Sequence, residues 1–250
     1  MIKNILLTAA FLLVGVATAM AHSNNEIVID DDIQLYHLQD SIYVHVTWHY
    51  LDNFGRFPSN GLLVIENGKA LMVDTPMDND KTARLTNYLM DELSVEVTTI
   101  IAGHFHNDCL GGLEYLQRKG AGSIANALTI SKCKELGLPV PATSFSDSLT
   151  FNFNGKQIVC RYFGAGHTVD NITVWIPENK ILFGGCLIKS LDSPNLGNLA
   201  DAVVDEWATT VEKLMIEYAD VETVIPGHGA FGGSALLSHT VALAQQEQTK

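Results

Sequence analysis

Six side chains of the kinds that hold transition metals stand in four short islands of this chain. They are His104, His106 and Asp108 in His104-Phe105-His106-Asn107-Asp108, then His167, Cys186 and His228. Glycine flanks every island: Gly111-Gly112 follows the first, Gly166 precedes His167, Gly184-Gly185 precedes Cys186, and Gly227 and Gly229 bracket His228. Four imidazoles, a thiolate and a carboxylate are more than one catalytic metal takes. They divide into two sets of three, each leaving a fourth position open. Three neutral imidazoles suit one zinc. A carboxylate, a thiolate and an imidazole suit a second, and the soft sulfur argues against calcium or magnesium there. A lone H-x-H is weak evidence, but H-x-H-x-D followed by Gly-Gly, with three further glycine-flanked islands, is specific. Residues two apart share a side of an extended segment, so His104, His106 and Asp108 are expected to emerge together. Gly111-Gly112 is then expected to turn the backbone sharply into a helix.

Folding must bring together islands spread over more than a hundred residues, and the hydrophobic pattern indicates how. Strands are predicted at Ile42–Trp48, Leu62–Glu66, Ala70–Asp74, Val97–Ala102, Leu149–Phe153, Gln157–Phe163, Ile172–Ile176, Lys180–Phe183 and Thr223–Ile225. Helices are predicted at Asp80–Leu93, Gly112–Gly120, Ala127–Leu136, Asp205–Tyr218 and Ser234–Gln248. In the first strand Val44, Val46 and Trp48 alternate with His45, Thr47 and His49, the pattern of a half-buried strand. Strands mixed with helices on this scale imply an α/β or α+β layered domain. Each island lies beyond a predicted strand, where such proteins build sites. His22, His37, His45, His49 and His239 are scattered and are given structural or surface roles.

Met1 to Ala21 resembles a secretory signal: Lys3, an apolar run from Ile5 to Val16, and Ala19-Met20-Ala21 as the cleavage pattern. Export to the periplasm follows, with no membrane anchor after cleavage. Removing 21 of 250 residues leaves 229, residues 22–250, read as one catalytic domain. A hydrophobic share of 47% supports a sizeable core, and a net charge of -13 speaks against a nucleic-acid partner. Four cysteines, Cys109, Cys133, Cys160 and Cys186, are too sparse for a disulfide-built scaffold, although Cys133 and Cys160 could pair.

The four islands together resemble those of a class B metallo-β-lactamase, the di-zinc subclass with His-His-His and Asp-Cys-His sites, over nearly the whole mature chain. That resemblance implies a four-layer αββα sandwich with the site along the edge between the β layers. It implies two Zn2+ per chain, one on His104, His106 and His167 and the other on Asp108, Cys186 and His228. It also implies hydrolysis of the β-lactam amide of penicillins, cephalosporins and carbapenems by a zinc-bound hydroxide, conferring antibiotic resistance, with Asp108 and Asn198 as catalytic residues. Lys189 resembles the lysine that meets the substrate carboxylate, Asn198 the asparagine near the lactam carbonyl, and Tyr50–Phe57 the loop that closes over substrate. A small-molecule β-lactam is thus the expected partner, and the protein is expected to be a monomer. Cys109 stands where some relatives carry arginine or serine, placing a second thiol near the site. Another exported hydrolase of the same fold, a lactonase or thioesterase, is the alternative, and Cys186, Lys189 and Asn198 speak against it. A non-catalytic zinc-binding protein would instead show closed four-ligand sites. Ser131-Lys132-Cys133-Lys134 fits S-x-x-K, but neither S-D-N nor K-T-G accompanies it, so serine chemistry is set aside.

Overall fold

Two sheets collect the apolar strands. In the computed structural model, which describes residues 25–52 and 55–250, the first sheet contains eight strands in chain order. These are Glu26–Asp30 (β1), Ile33–Gln39 (β2), Ile42–Leu51 (β3), Gly55–Glu66 (β4), Lys69–Val73 (β5), Glu96–Ala102 (β6), Gly122–Asn126 (β7) and Thr143–Phe145 (β8). Pairing is antiparallel as far as β5 and parallel from there on. The second sheet joins Ser148–Phe153 (β9), Lys156–Arg161 (β10), Thr173–Ile176 (β11), Ile181–Gly185 (β12) and Thr223–Pro226 (β13), with only β12 and β13 parallel. The helices are Asn79–Leu93 (α1), Asn107–Leu110 (α2), Leu113–Arg118 (α3), Ala127–Leu136 (α4), Val204–Glu217 (α5) and Ala235–Gln248 (α6). The expected leader, Met1 to Ala21, lies outside the described residues, as does part of the segment Tyr50–Phe57.

Three cores separate four layers. Between the sheets, Val44, Leu62, Val73 and Ile101 meet Ile158, Val174, Ile181 and Phe183. On the outer face of the first sheet, Leu85 and Leu89 of α1 and Leu113 and Leu116 of α3 cover Leu63, Met72 and Ile100. On the outer face of the second, Trp207, Val211 and Leu214 of α5 and Leu237 and Ala244 of α6 cover Trp175, Leu182 and Val224. This is the αββα sandwich. Each fully buried Leu or Ile contributes about 1.5–3 kcal/mol, so every layer is held by its own apolar contacts. Helix α1 starts where the Asp78 carboxylate accepts from Lys81 N at 2.7 Å, and ends at Ser94 in a left-handed conformation. No helix among the described residues is long and apolar enough to cross a membrane.

Several expectations need correction. Strands β1, β2, β7 and β8 add to the predicted set, and β4 starts seven residues before Leu62. Strand β3 is covered on both sides, and its polar side is the drier one: His45, Thr47 and His49 are 1%, 0% and 6% exposed. Asp108 lies in the one-turn helix α2, so strand alternation does not explain its direction. Gly111 and Gly112 have ordinary negative φ values. They are needed for space, since a Cβ would overlap the Met77 carbonyl at the first and the Thr82 side chain at the second.

Cys133 on α4 and Cys160 on β10 belong to cores on opposite faces of the first sheet, and all four cysteines are free. Reductant is therefore expected to leave the melting temperature unchanged; a fall on adding dithiothreitol would reveal a pairing this fold forbids.

Candidate metal centre

The donors are carried by loops that leave the ends of β6, β10, β12 and β13. After β6, Gly103 N donates to Asp74 Oδ1 at 2.6 Å, tying the start of the His104 loop to the end of the parallel neighbour β5. A Cβ at residue 103 would stand 2.9 Å from both Asp74 oxygens. Asp74 takes a left-handed φ of 57° to reach this position. Burial raises its pKa to about 7, opposed by the Gly103 N–H and the Cys109 thiol. His106 then caps α2, and Asp108 projects from that helix's first turn. Cys186 and His228 leave the adjacent parallel strands β12 and β13, where Gly185 pairs with Pro226. Gly227 has no Cβ because one would overlap the Cys186 sulfur.

Six donor atoms form two touching triangles. In the first, His106 Nδ1 lies 3.0 Å from His104 Nε2 and 3.3 Å from His167 Nε2, and the His104 and His167 rings are 4.9 Å apart. In the second, Asp108 Oδ2 lies 3.2 Å from Cys186 Sγ and 3.1 Å from His228 Nε2, with Cys186 Sγ and His228 Nε2 at 3.3 Å. Asp108 Oδ1 is 3.6 Å from His104 Nε2, which joins the triangles. His104, His167 and Cys186 also lie within 4.8 Å of one another, so all six form one nest.

Outer partners fix the rings. His228 Nδ1 donates to Pro58 O at 2.8 Å, His106 Nε2 meets Asp201 Oδ2 at 2.9 Å, and His104 Nδ1 meets Cys109 Sγ at 3.0 Å. Such partners fix the orientation of these three rings toward the centre. Burial pushes the pKa of His104 down to about 4 and that of His167 well below its usual range. For Asp108 burial acts upward, yet the His228 hydrogen bond and the neighbouring imidazoles hold its carboxyl well below the ordinary carboxylate value. Burial, with Asp108 beside it, raises the Cys186 thiol, and Lys189 opposes this.

A metal fits this nest. Three imidazole nitrogens converge at 3.0–3.3 Å, and burial disfavours protonation of the His104 and His167 rings, so a cation is the group best suited to sit among them. Asp108 Oδ1 is buried without a hydrogen-bond partner, a cost removed when a cation takes its charge. Two imidazole-and-thiolate-rich triads are the donor chemistry of zinc.

The nest opens into a cleft of about 590 Å³. Leu51, Phe57, Met77 and Phe105 give it an apolar side, and Lys189 and Asn198 line it as well. The Lys189 ammonium sits 5.2 Å from the Trp207 ring centroid and, among the described residues, pairs with no carboxylate. Asn198 Oδ1 accepts from Ala200 N at 3.1 Å, which leaves its amide N–H groups as donors. Six of the predicted site residues, His106, Asp108, His167, Lys189, Asn198 and His228, line this cleft, and His104 and Cys186 are buried in the nest behind them. Sequence reasoning missed Asp201 and Pro58 as ring partners and Trp207 as the support for Lys189; one exposed aspartate or a single strand proline carries no pattern of its own.

No protein-family model matches the chain. A Bacteroides fragilis protein named metallo-beta-lactamase type 2 is 42% identical over 237 residues, 94% of this chain and 95% of its own. The Bacillus cereus protein of the same name is 36% identical over 84% of this chain and 82% of its own. Among solved structures, a metallo-beta-lactamase from Pontibacter korlensis superposes with a TM-score of 0.82 at 34% identity, over 85% of this chain and 99% of its own. A Pseudomonas aeruginosa metallo-beta-lactamase in a mono-zinc form gives 0.82 at 30% identity, over 89% of this chain and 99% of its own. The layered sandwich and its six-donor cleft define a metal-dependent hydrolase. The chain belongs to the metallo-β-lactamase family, and its chemistry is that of a β-lactamase hydrolase.

Proposed function

We propose that this chain is an exported, periplasmic, monomeric enzyme of one catalytic domain, residues 22–250, that uses two zinc ions to open the β-lactam amide of penicillins, cephalosporins and carbapenems, and so confers resistance to them. The paired triangles of donor atoms carry this reading. His104, His106 and His167 would hold one ion; Asp108, Cys186 and His228 would hold the other. Bound zinc polarises a carbonyl and lowers the pKa of water to about 7.

The chain's own residues supply binding and orientation. Lys189, an unpaired cation at the cleft, receives the carboxylate of the bicyclic substrate. Asn198 donates an amide N–H to the lactam carbonyl, its oxygen being already engaged with Ala200 N. The partnerless Asp108 Oδ1 accepts a hydrogen bond from the attacking water and so aims it. The apolar side formed by Leu51, Phe57, Met77 and Phe105 takes substrate hydrocarbon and sheds water.

Purified protein should hydrolyse nitrocefin, lose that activity in EDTA, regain it with zinc, and carry two zinc equivalents by elemental analysis. Chelator-resistant turnover, or none with zinc present, would overturn the reading. Lys189→Ala should raise KM for a carboxylated β-lactam by about 10- to 100-fold with kcat nearly unchanged, the worth of a charge-assisted contact made in ground and transition states alike. An unmoved KM would remove Lys189 from that role.

A further inference from the structure

His49 belongs to neither triangle of donors and does not line the cleft, yet it is 6% exposed and its Nε2 is engaged by two hydroxyls. Its Nε2 lies 2.9 Å from Thr47 Oγ1 and 3.2 Å from Ser59 Oγ, and those two hydroxyls lie 3.0 Å from each other. The three groups close a ring of hydrogen bonds across β3 and β4, just below the hairpin's outer end. Burial first, and the Lys81 ammonium second, hold the pKa of His49 down to about 4, so the imidazole is neutral and its free lone pair can accept from a hydroxyl.

On the same strand pair His49 stands opposite Phe57 in register, with ring centroids 6.0 Å apart at 44°. Phe57 lines the cleft, and the His228 ring also lies 6.0 Å from it, at 59°. Phe57 is therefore in contact with a ring that belongs to the donor nest and with one that does not. Residue 58 adds a second link, because Pro58 O accepts from His228 Nδ1. The hairpin end cannot move without disturbing Phe57, and His49 is the side chain that ties this end to the hydroxyl pair.

We propose that His49 is a positioning residue for substrate binding: braced by Thr47 and Ser59, its imidazole fixes Phe57 against the cleft and so sets KM. The proposal rests on the cleft being the substrate site. It adds a residue that touches neither donor nest nor substrate.

The test is His49→Leu, which keeps the volume, removes the bond, and leaves Thr47 and Ser59 paired with each other. KM for nitrocefin should rise about three- to tenfold, the worth of one aromatic contact, while kcat, zinc content and melting temperature stay within experimental error. In a Phe57→Ala background the same substitution should have no further effect on KM, because it acts through that ring. Independently of turnover, amide hydrogen exchange at Tyr50, Leu51, Arg56 and Phe57 should speed up in His49→Leu and nowhere else. An unchanged KM, an equal rise in the Phe57→Ala background, or a joint fall in zinc content and melting temperature would overturn the proposal. If wild type fails to hydrolyse nitrocefin, the functional reading fails, and unchanged exchange in His49→Leu would still refute the brace on its own.

Discussion

Cys186→Ser is expected to yield a protein that keeps one zinc equivalent, loses the other, and turns over β-lactams more than ~100-fold more slowly. That floor is set by the 10- to 100-fold cost of losing a mere outer partner of a metal ligand. The sulfur is the soft donor of the second triangle, 3.2 Å from Asp108 Oδ2 and 3.3 Å from His228 Nε2. A serine oxygen is shorter, harder and protonated at neutral pH, so it replaces neither the reach nor the charge. The three imidazoles of the first triangle are untouched, so its ion should remain. Elemental analysis beside steady-state kinetics separates the outcomes: two retained equivalents with wild-type kcat would show that Cys186 is no ligand.

Gly111→Ala should destabilise the fold strongly without approaching the donors. Its Cβ would overlap the Met77 carbonyl and stand 2.7 Å from Asn107 O, both backbone atoms that cannot swing aside. Overpacking costs about 1–3 kcal/mol and more where backbone must shift. At this chain length each kcal/mol lowers the melting temperature by about 2–4 °C, so a fall of roughly 5–10 °C is expected. Gly122→Ala is the control: the nearest atom to its Cβ is Thr98 O at 3.8 Å, and the change should be close to neutral. Equal melting of Gly111→Ala and wild type would refute the steric account.

These two positions illustrate what a chain discloses before it is folded. The donor islands were legible because metal chemistry demands particular residue types and glycine beside them. Helix α4 was legible to its last residue, since Asn126 caps one end through Leu128 N and Gly137 the other. Strands β7 and β8 were not: Gly122-Ser-Ile-Ala-Asn126 has weak strand propensity, and Thr143–Phe145 is three residues long. They are strands because β6 offers a parallel edge to build on. The polar side of β3 was misjudged for a related reason. His45, Thr47 and His49 look solvated in sequence, but His45 Nε2 meets Asp74 O at 3.0 Å, in a space open only because residue 61 lacks a Cβ. Satisfaction by distant groups leaves no local periodicity. Asp108 stands in the second triangle, but not by the strand alternation expected of it, because it lies on a single turn of helix that needs no hydrophobic repeat.

The donors also mix the two halves of the molecule. His104, His106 and Asp108 follow a strand of the eight-stranded sheet, while His167, Cys186 and His228 follow strands of the five-stranded one. Each triangle takes members from both. An ion seated in either one is a rivet through the sandwich, so loading resists shear between the halves as well as preparing chemistry. Zinc starvation should therefore loosen the seam where the donors bridge it, and metal supply would govern how long the molecule survives as well as how fast it works.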